Sequence, residues 1–393
     1  MNLNYLFSVL LIMLVFVSCK QEQGGQLHVP IEDFFVKPER TSFKLSPDGS
    51  KVAYLGVHDH CKNIFILDLE EPDSSKQLTY QDNLNVQSFF WLDNKRIIFS
   101  NTQSPTDSLR MFQIDVKTEK RQALFSPEKS RLRWVYPIVE KDNSIMAGLN
   151  LRDSSLFDLY RIYLDGRKPQ LVQHNPGNVV SWIGAPDGVV RMALTSDSVQ
   201  ESLLYRKNDG LPFKEVMKND FETIFVPLGF VKNSDKNVYA LSNQNRDKMA
   251  LVEFDAENGK EVRNIYENKL GDLGVEGYSA NLQEMLYTTS FIDKFKKNIF
   301  NPTYEQVYKK LKKKFKDSEI GFLDSDSSLT GFVVRVYSDI HPGETYYYNK
   351  EKDDIQLLNE ENPKLKDLEF NQMEEVEFLS RDNKNIHAYI TYP

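Results

Sequence analysis

Apolar and polar positions alternate along this chain in short segments, and the segments recur in units of about 40 residues. Each unit contains an apolar segment, a turn rich in Asp, Asn and Gly, a second segment, a polar loop and a third segment that ends in an acidic turn. In segment 51–57, Val52 and Tyr54 lie on one face of the predicted strand and Ala53 and Leu55 on the other, so both faces are apolar. One sheet cannot bury both of its faces alone, and we therefore expect neighbouring units to stack.

Seven units of this kind can be delimited along the chain. They span 43–79, 86–125, 135–173, 179–217, 225–266, a sixth from residue 277, and 321–358. Several short strands in each unit and a period of about 40 residues are typical of a β-propeller. The sequence therefore predicts an all-β fold, a seven-bladed β-propeller over 31–365, with six or eight blades left open because the sixth unit is irregular.

The sixth unit contains a segment with a different period. Within 301–315, apolar and aromatic residues recur at steps of three and four, which predicts an amphipathic helix, a short helical insertion near 302–316. These residues are Tyr304, Val307, Tyr308, Leu311 and Phe315. The lysines of the segment are then its solvated positions, and we favour this interpretation over a contact with anionic lipid. They are Lys309, Lys310 and Lys312–Lys314.

The N-terminus is predicted to be a separate targeting segment. The apolar run 6–17 would form a helix of about 18 Å, too short for a bilayer core of about 30 Å, and fits a signal peptide over 1–18. Cys19 follows at once, and the string before it resembles a bacterial lipobox, although Phe16 replaces the usual aliphatic residue and no Lys or Arg precedes the run. The resemblance implies a lipidated Cys19, a tether over 19–30 and an exported, membrane-anchored lipoprotein of the periplasm or outer membrane. A simple secretory peptide with an incidental Cys is the alternative.

Composition excludes several classes of protein. The formal net charge is −8 at pH 7, which argues against a nucleic-acid partner. A mean hydropathy of −0.50 excludes an integral membrane protein. Cys61, the other cysteine, has no partner once Cys19 is lipidated, so no disulfide framework is expected.

One cluster of residues resembles a metal site. His58, Asp59, His60 and Cys61 are consecutive, and two His and a Cys could bind Zn²⁺, but no CxxC or HExxH string supplies the remaining ligands. We therefore interpret the cluster as a loop between two strands. The other histidines are isolated in the sequence, and a structural role is favoured for His341. They are His28, His174, His341 and His387.

Two further sets of residues are candidates for ligand sites. Trp91, Trp134 and Trp182 lie near strand starts in successive units, where they could line a ligand groove, although core packing between blades is the favoured interpretation. The glycines 271, 274 and 277 are spaced by three, which does not match G-x-G-x-x-G, and they are interpreted as a loop between units.

Three segments, 31–54, 335–365 and 373–393, together resemble the prolyl oligopeptidase family, in its dipeptidyl-peptidase and acylaminoacyl-peptidase branch. Segment 31–54 (IEDFFVKPERTSFKLSPDGSKVAY) is similar to the start of such proteins, 335–365 to their last blade, and 373–393 to the junction where the chain enters an α/β-hydrolase domain. The resemblance implies that the nucleophilic Ser, the Asp and the His of the family belong to that domain. No G-x-S-x-G string occurs here; the nearest, at 277–281, lacks the second Gly. Because peptide hydrolysis needs a nucleophile, a base and an oxyanion hole, we predict no catalytic residue, cofactor or metal ligand in this chain.

Two functions remain after this comparison of motifs. In the first, the chain is the N-terminal propeller of an exported serine peptidase, truncated before the hydrolase domain and inactive alone, and it gates the access of peptide substrates. Segments 376–379 and 386–391 support it, since they resemble strands with nothing to pair with in a closed propeller, and 366–393 is predicted to begin the hydrolase domain. In the second, the chain is a stand-alone tethered propeller that binds peptide or protein partners without catalysis.

Overall fold

The computed structural model describes residues 29–71, 74–102, 109–126, 131–135, 143–274, 277–292 and 294–392. The chain forms two compact units, Met1–Val36 and Lys37–Pro393. In the first unit, the described part contains α1 (Ile31–Phe34), a single turn without buried residues. The predicted signal peptide 1–18, Cys19 and most of the predicted tether lie outside the described residues. Within the described chain, no helix is both long and apolar enough to cross a membrane.

Six four-stranded antiparallel sheets in the second unit are each built from consecutive strands. The first sheet contains β1 (Arg40–Leu45), β2 (Lys51–His58), β3 (Cys61–Asp68) and β4 (Lys76–Gln77). The second contains β5 (Asn85–Trp91), β6 (Arg96–Thr102), β7 (Arg110–Asp115) and β8 (Arg121–Phe125). The third contains β9 (Leu132–Trp134), β10 (Ser144–Asp153), β11 (Leu156–Tyr163) and β12 (Gln170–Gln173). The fourth sheet contains β13 (Val179–Gly184), β14 (Val190–Ser196), β15 (Glu201–Tyr205) and β16 (Lys214–Asn219). The fifth contains β17 (Phe225–Phe230), β18 (Asn237–Ser242), β19 (Ala250–Asp255) and β20 (Lys260–Glu267).

The sixth unit departs from this pattern, as the sequence predicts. It has two two-stranded sheets, β21 (Tyr278–Ser279) with β22 (Glu284–Met285) and β23 (Tyr287–Ile292) with β24 (Lys294–Ile299). Helix α2 (Pro302–Lys314) follows at the point in the chain where the other units have a fourth strand. The last four-stranded sheet contains β25 (Glu319–Ser325), β26 (Gly331–Tyr337), β27 (Glu344–Asn349) and β28 (Asp354–Glu360).

Helix α2 confirms the predicted amphipathic insertion. The side chain of Asn301 caps its N-terminus by accepting hydrogen bonds from the backbone N–H groups of Thr303 and Tyr304, at 3.0 and 3.3 Å. Tyr304, Val307 and Leu311 are buried. They pack with the last sheet, so burial of one apolar face holds the helix on the protein.

The acidic turns at the strand ends are fixed by their own side chains. The carboxylate of Asp115 accepts hydrogen bonds from the backbone N–H groups of Lys117 and Thr118, and Asp255 binds those of Glu257 and Asn258 in the same way. In these turns the carboxylate, rather than water, accepts hydrogen bonds from the backbone N–H groups, and the direction of the returning strand is thereby fixed.

The core consists of apolar clusters between neighbouring units. Seven buried clusters occur in the described part of the chain, and each takes its side chains from two successive units. One of them joins Val333 and Tyr347 of the last sheet to Phe43 and Val52 of the first, so the units close into a ring. The predicted stacking and the predicted β-propeller are therefore confirmed. The number of seven blades stays a prediction, because the sixth unit is not a regular four-stranded sheet.

The ring closes through side chains and turns, since none of the described strands is shared between the first and last sheets. The backbone N–H of Leu45 donates to Asp324 Oδ2 at 2.8 Å, and that of Ser327 donates to the carbonyl oxygen of Pro47 at 3.1 Å. The guanidinium of Arg40 donates to the carbonyl oxygen of Leu358 at 3.1 Å. The first strands lie toward the centre, where β1 contacts both β5 and β25.

The end of the chain forms an antiparallel hairpin of β29 (Met373–Leu379) and β30 (Asn385–Thr391). The strands were predicted to have nothing to pair with, and this is wrong: they pair with each other along their full length. A hairpin needs only a short turn to bring its strands together, and the turn at 380–384 supplies it.

Candidate functional site

The antiparallel strands divide the ring into two faces. The connection face carries the links between units and the turns between second and third strands. The far face carries the turns between first and second and between third and fourth strands. The backbone N–H of Met373, at the start of β29, donates to Asp339 Oδ2 at 2.7 Å, and Asp339 lies in the turn between β26 and β27. The C-terminal hairpin is thus attached on the connection face.

The connection face carries exposed apolar side chains from several units. Among the described large apolar residues that are exposed, eight lie in its turns, links and strand ends. They are Val57, Tyr80, Leu151, Val180, Val199, Phe221, Ile224 and Leu270. On the far face of the described chain, four such residues lie in turns or near strand ends, half as many as on the connection face; they are Leu171, Leu211, Val262 and Leu323. Exposed apolar groups gathered on one side of a folded protein are typical of an interaction surface.

A buried carboxylate lies beneath this surface in the third unit. Asp158 is fully buried and accepts two hydrogen bonds from the Arg152 guanidinium, both at 2.9 Å, and one from the backbone N–H of Asn175 at 2.7 Å. Burial raises the pKa of Asp158, but the hydrogen bonds from Arg152 and Asn175 outweigh it, and the pKa lies below its ordinary value. The network ties β10, β11 and the link to the fourth unit together, which is a structural role.

Three adjacent cavities open on the far face. Their volumes are about 370, 170 and 430 Å³; the first two share Tyr278 and Ala280, and the last two share Pro186. Far-face ends of first strands line them, including Lys44 of β1 and Asp324 of β25. The cavities therefore form one groove along the inner strand ends of adjacent units.

Two of the charged side chains in the cavity of about 370 Å³ form an ion pair. Lys44 Nζ lies 3.6 Å from Asp324 Oδ1, and 24% of the Asp324 side chain is exposed. Burial raises the pKa of Asp324, although Lys44 and the backbone N–H of Leu45 act in the opposite direction. Lys44 belongs to the first unit and Asp324 to the last, so the ion pair helps to close the ring and also lines the groove.

The His58–Cys61 cluster forms the tip of a β-hairpin, which confirms its interpretation as a loop. Asp59 and His60 are the two turn residues between β2 and β3, with φ of 49° and 67°, as a type I′ turn requires. His58 is exposed, whereas Cys61 is buried. Within the described chain, their ligand atoms do not meet in a group of three.

The tryptophans pack between units, as the sequence analysis favours. The indole N–H of Trp91 donates to the carbonyl oxygen of Lys44 in the preceding unit, and that of Trp182 to the carbonyl oxygen of Phe157, both at 3.0 Å. Trp134 packs edge-on against Phe90 at 5.2 Å. Trp182 also lines the cavity of about 170 Å³, so one of the three contributes to the groove.

Two histidines that the sequence presents as isolated have close acidic neighbours. His174 Nδ1 lies 3.5 Å from Asp158 Oδ2. His387 Nδ1 lies 2.8 Å from Glu377 Oε1 and 3.6 Å from Glu375 Oε1, on one face of the C-terminal hairpin. The signal was the spacing Glu-x-Glu in one strand with a His in the next, and it becomes visible only once the hairpin register is known.

His341 has the structural role that the sequence favours. It lies in the turn between β26 and β27, where its Nδ1 accepts a hydrogen bond from the backbone N–H of Gly343 at 3.2 Å. This bond closes the turn from within.

Comparisons with known proteins agree with the geometry. No family profile matches the chain. The chain is 21% identical over 389 residues to dipeptidyl aminopeptidase BIII of Pseudoxanthomonas mexicana, covering 96% of this chain and 55% of that protein. It is 20% identical over 386 residues to dipeptidyl peptidase family member 6 of Caenorhabditis elegans, covering 93% and 51%. The chain is homologous to the propeller portion of peptidases of the prolyl oligopeptidase family.

Solved structures of such peptidases show the same fold. A puromycin-hydrolysing peptidase of Mycobacterium tuberculosis superposes with a TM-score of 0.62 at 12% identity, covering 91% of this chain and 59% of that one. Prolyl oligopeptidase B of Galerina marginata, solved with a 35-residue substrate, superposes with a TM-score of 0.60 at 12% identity, covering 90% and 54%. The chain thus spans about half the length of the curated relatives it matches. The resemblance to peptidases of the prolyl oligopeptidase family is confirmed, and the assignment of 373–393 to the junction with a hydrolase domain stays a prediction.

Proposed function

We propose that this chain is the propeller portion of an exported serine peptidase that covers a hydrolase domain and gates the access of peptide substrates. The observation that carries the proposal is the exposed apolar surface on the connection face, the face to which the C-terminal hairpin is attached. A covering domain would remove these side chains from water. The matched relatives are peptidases, which favours this function over a stand-alone binding module.

The C-terminal hairpin supports the assignment of 366–393 to the start of a hydrolase domain. Its register places five apolar side chains on one face of the two strands. They are Val376, Phe378, Ile386, Ala388 and Ile390. In the described chain Phe378 is 53% exposed, and this face matches a strand pair that is buried by further structure.

We further propose that the protein is anchored to a membrane and that its catalytic groups lie outside the propeller. Cys19 is the lipidated residue, and the anchor holds the peptidase at a membrane of the cell envelope. The propeller contributes no nucleophile, base or oxyanion hole, so residues 1–393 are inactive alone.

The test uses the protein at its natural length, labelled with a fluorophosphonate probe and mapped by peptide mass spectrometry. We expect one labelled serine outside 1–393, together with hydrolysis of short peptides and resistance of folded proteins. Labelling of a serine within 1–393, or peptide hydrolysis by this chain alone, would contradict the proposal.

The docking face is tested separately with matched substitutions. Phe221→Asp with Ile224→Asp places charge on the connection face, and the loss of apolar contact should lower peptidase activity by about tenfold, which corresponds to about 1.4 kcal/mol. Leu211→Asp on the far face is the control, because Leu211 and Ile224 are each 48% exposed. Equal effects of the two sets would refute docking through the connection face.

A further inference from the structure

Lysine is concentrated in one part of the sixth unit. Residues 294–316 contain nine lysines and a single carboxylate, Glu305, so this segment carries a net charge of +8. The whole chain carries −8, and the remainder of the chain therefore carries −16. A local positive charge of this size on an acidic protein creates a positive potential that attracts anions to this part of the surface.

Part of the surplus is neutralised within the fold. Lys309 pairs with Glu305 at 2.5 Å, Lys310 with Asp353 at 2.7 Å and Lys312 with Glu319 at 3.3 Å. The first pair lies within the helix, and the other two link the helix to the last sheet. A second group of lysines forms no ion pair among the described residues, although one of them, Lys314, helps to lower the pKa of Asp353.

This second group lies at the end of α2 and just beyond it. Lys313, Lys314 and Lys316 are exposed, and none of the three has a carboxylate within 4.0 Å among the described residues. The negative end of a helix dipole amounts to about half a charge, so it does not account for three cations. Asp317 is the acidic residue next to them in the chain.

The helix presents these lysines on a rigid support. Val307 and Leu311 are each 1% exposed and Tyr304 is 4% exposed, so its inner face is fixed in the core. The first strands lie toward the centre of the ring, and α2 occupies the position of an outermost strand. Lys313 and Lys314 end α2, and Lys316 lies in the link from α2 to β25. All three therefore lie at the outer edge of the connection face, away from the groove that Tyr304 lines near the start of the helix.

We propose that Lys313, Lys314 and Lys316 bind the anionic phospholipid headgroups of a bilayer. Exposed lysines at the end of a helix, without a shaped pocket, suit a diffuse anionic surface. A defined anion such as a single phosphate would need convergent donors in a cavity, and an acidic protein partner would need a complementary contact surface. The acidic remainder of the chain is repelled by the same bilayer, so the contact also sets which side of the protein faces it.

The experiment measures partition of the full chain onto vesicles of phosphatidylcholine with and without 30% phosphatidylglycerol, at about 50 and 500 mM salt. The apolar run 6–17 contributes to both vesicle types, and the difference between them isolates the charge-dependent part. We expect binding to the anionic vesicles to exceed binding to the neutral ones at low salt and to lose this excess at high salt.

The test variant is Lys313→Gln with Lys314→Gln and Lys316→Gln, which keeps good helix formers at exposed positions. It should reduce the excess binding about tenfold or more. The matched control is Lys168→Gln, Lys207→Gln and Lys260→Gln, which removes the same charge from exposed positions in three other units. An unchanged excess in the test variant, or an equal loss in the control, would overturn the proposal; circular dichroism of both variants shows that they are folded. Peptidase activity does not enter this measurement, so it is independent of the proposed function.

Discussion

At the scale of single residues, the buried carboxylate of Asp158 makes a pH-dependent contribution to stability. Its pKa in the folded state lies below that of the unfolded chain, which is about 3.9. The stability it supplies is therefore fully present above about pH 3.9 and is lost as the pH falls through the lower, folded-state value.

We predict that Asp158→Asn lowers the free energy of unfolding at pH 7 by about 2 kcal/mol, because the Arg152 donors lose a charged acceptor. The variant should also lose less stability than the parent between pH 4 and about pH 2. Urea denaturation over this range measures both effects. Asp153→Asn, at an exposed position in the neighbouring turn, is the control and should change stability at pH 7 by less than about 0.5 kcal/mol. Equal changes in the two variants would show that the buried network contributes nothing.

A second prediction concerns Gly277, which the sequence placed in a loop between units. Its φ is 94°, and a Cβ there would lie 2.2 Å from the carbonyl oxygen of Tyr287. Gly177 has a φ of 130°, and a Cβ at that position would have nothing within 4 Å, so it shares the backbone strain without the steric overlap. We predict that Gly277→Ala costs more than Gly177→Ala by at least about 1 kcal/mol, measured by chemical denaturation. A smaller difference would mean that β21 and β23 separate at little cost.

At the scale of elements, helix α2 replaces a strand, and Tyr304 is the side chain that fixes it. It is 4% exposed, its hydroxyl donates to Ser325 Oγ at 3.0 Å, and burial raises its pKa to about 12. Its neutral form is thus favoured in the folded state, and the stability it supplies is lost as the pH rises from about 10 to about 12.

We predict that Tyr304→Phe removes one late-titrating tyrosine from the absorbance titration at alkaline pH and reduces the loss of stability in that range. Tyr308→Phe, on a half-buried neighbour, is the comparison. If Tyr304 titrates with the exposed tyrosines in the parent protein, the helix is not packed as described.

The elements show how far the sequence alone determines this fold. Local periodicity was sufficient for the strands and for α2, because alternation and steps of three and four report which face of an element is buried. Contacts between neighbouring strands were not predictable: Glu377 and His387 meet only through the hairpin register, and Arg152 reaches Asp158 across the turn between β10 and β11. The groove was missed for the same reason, since Tyr278 and Asp324 come together only when the ring has closed.

At the scale of the whole molecule, the junction between the first and last units differs from the other junctions. Successive units are joined by the chain itself, but the last sheet and the first are held by one apolar cluster, one ion pair and a few hydrogen bonds. Separation at this junction breaks no covalent connection. We therefore expect local opening to begin there, at a free energy below that of global unfolding.

The test compares two fully buried valines in equivalent second strands: Val333 in the closing cluster and Val238 in the cluster between the fourth and fifth units. Val333→Ala and Val238→Ala should lower global stability by similar amounts, because each deletes two buried methyl groups. Hydrogen exchange should separate them. Val333→Ala is expected to speed exchange in β1 and in β25–β28 together, whereas Val238→Ala, whose neighbours stay joined by the chain, should speed it less and only close to β17 and β18. If both variants produce the same exchange pattern, the junction between the first and last units is as stable as the other junctions, and local opening does not begin there.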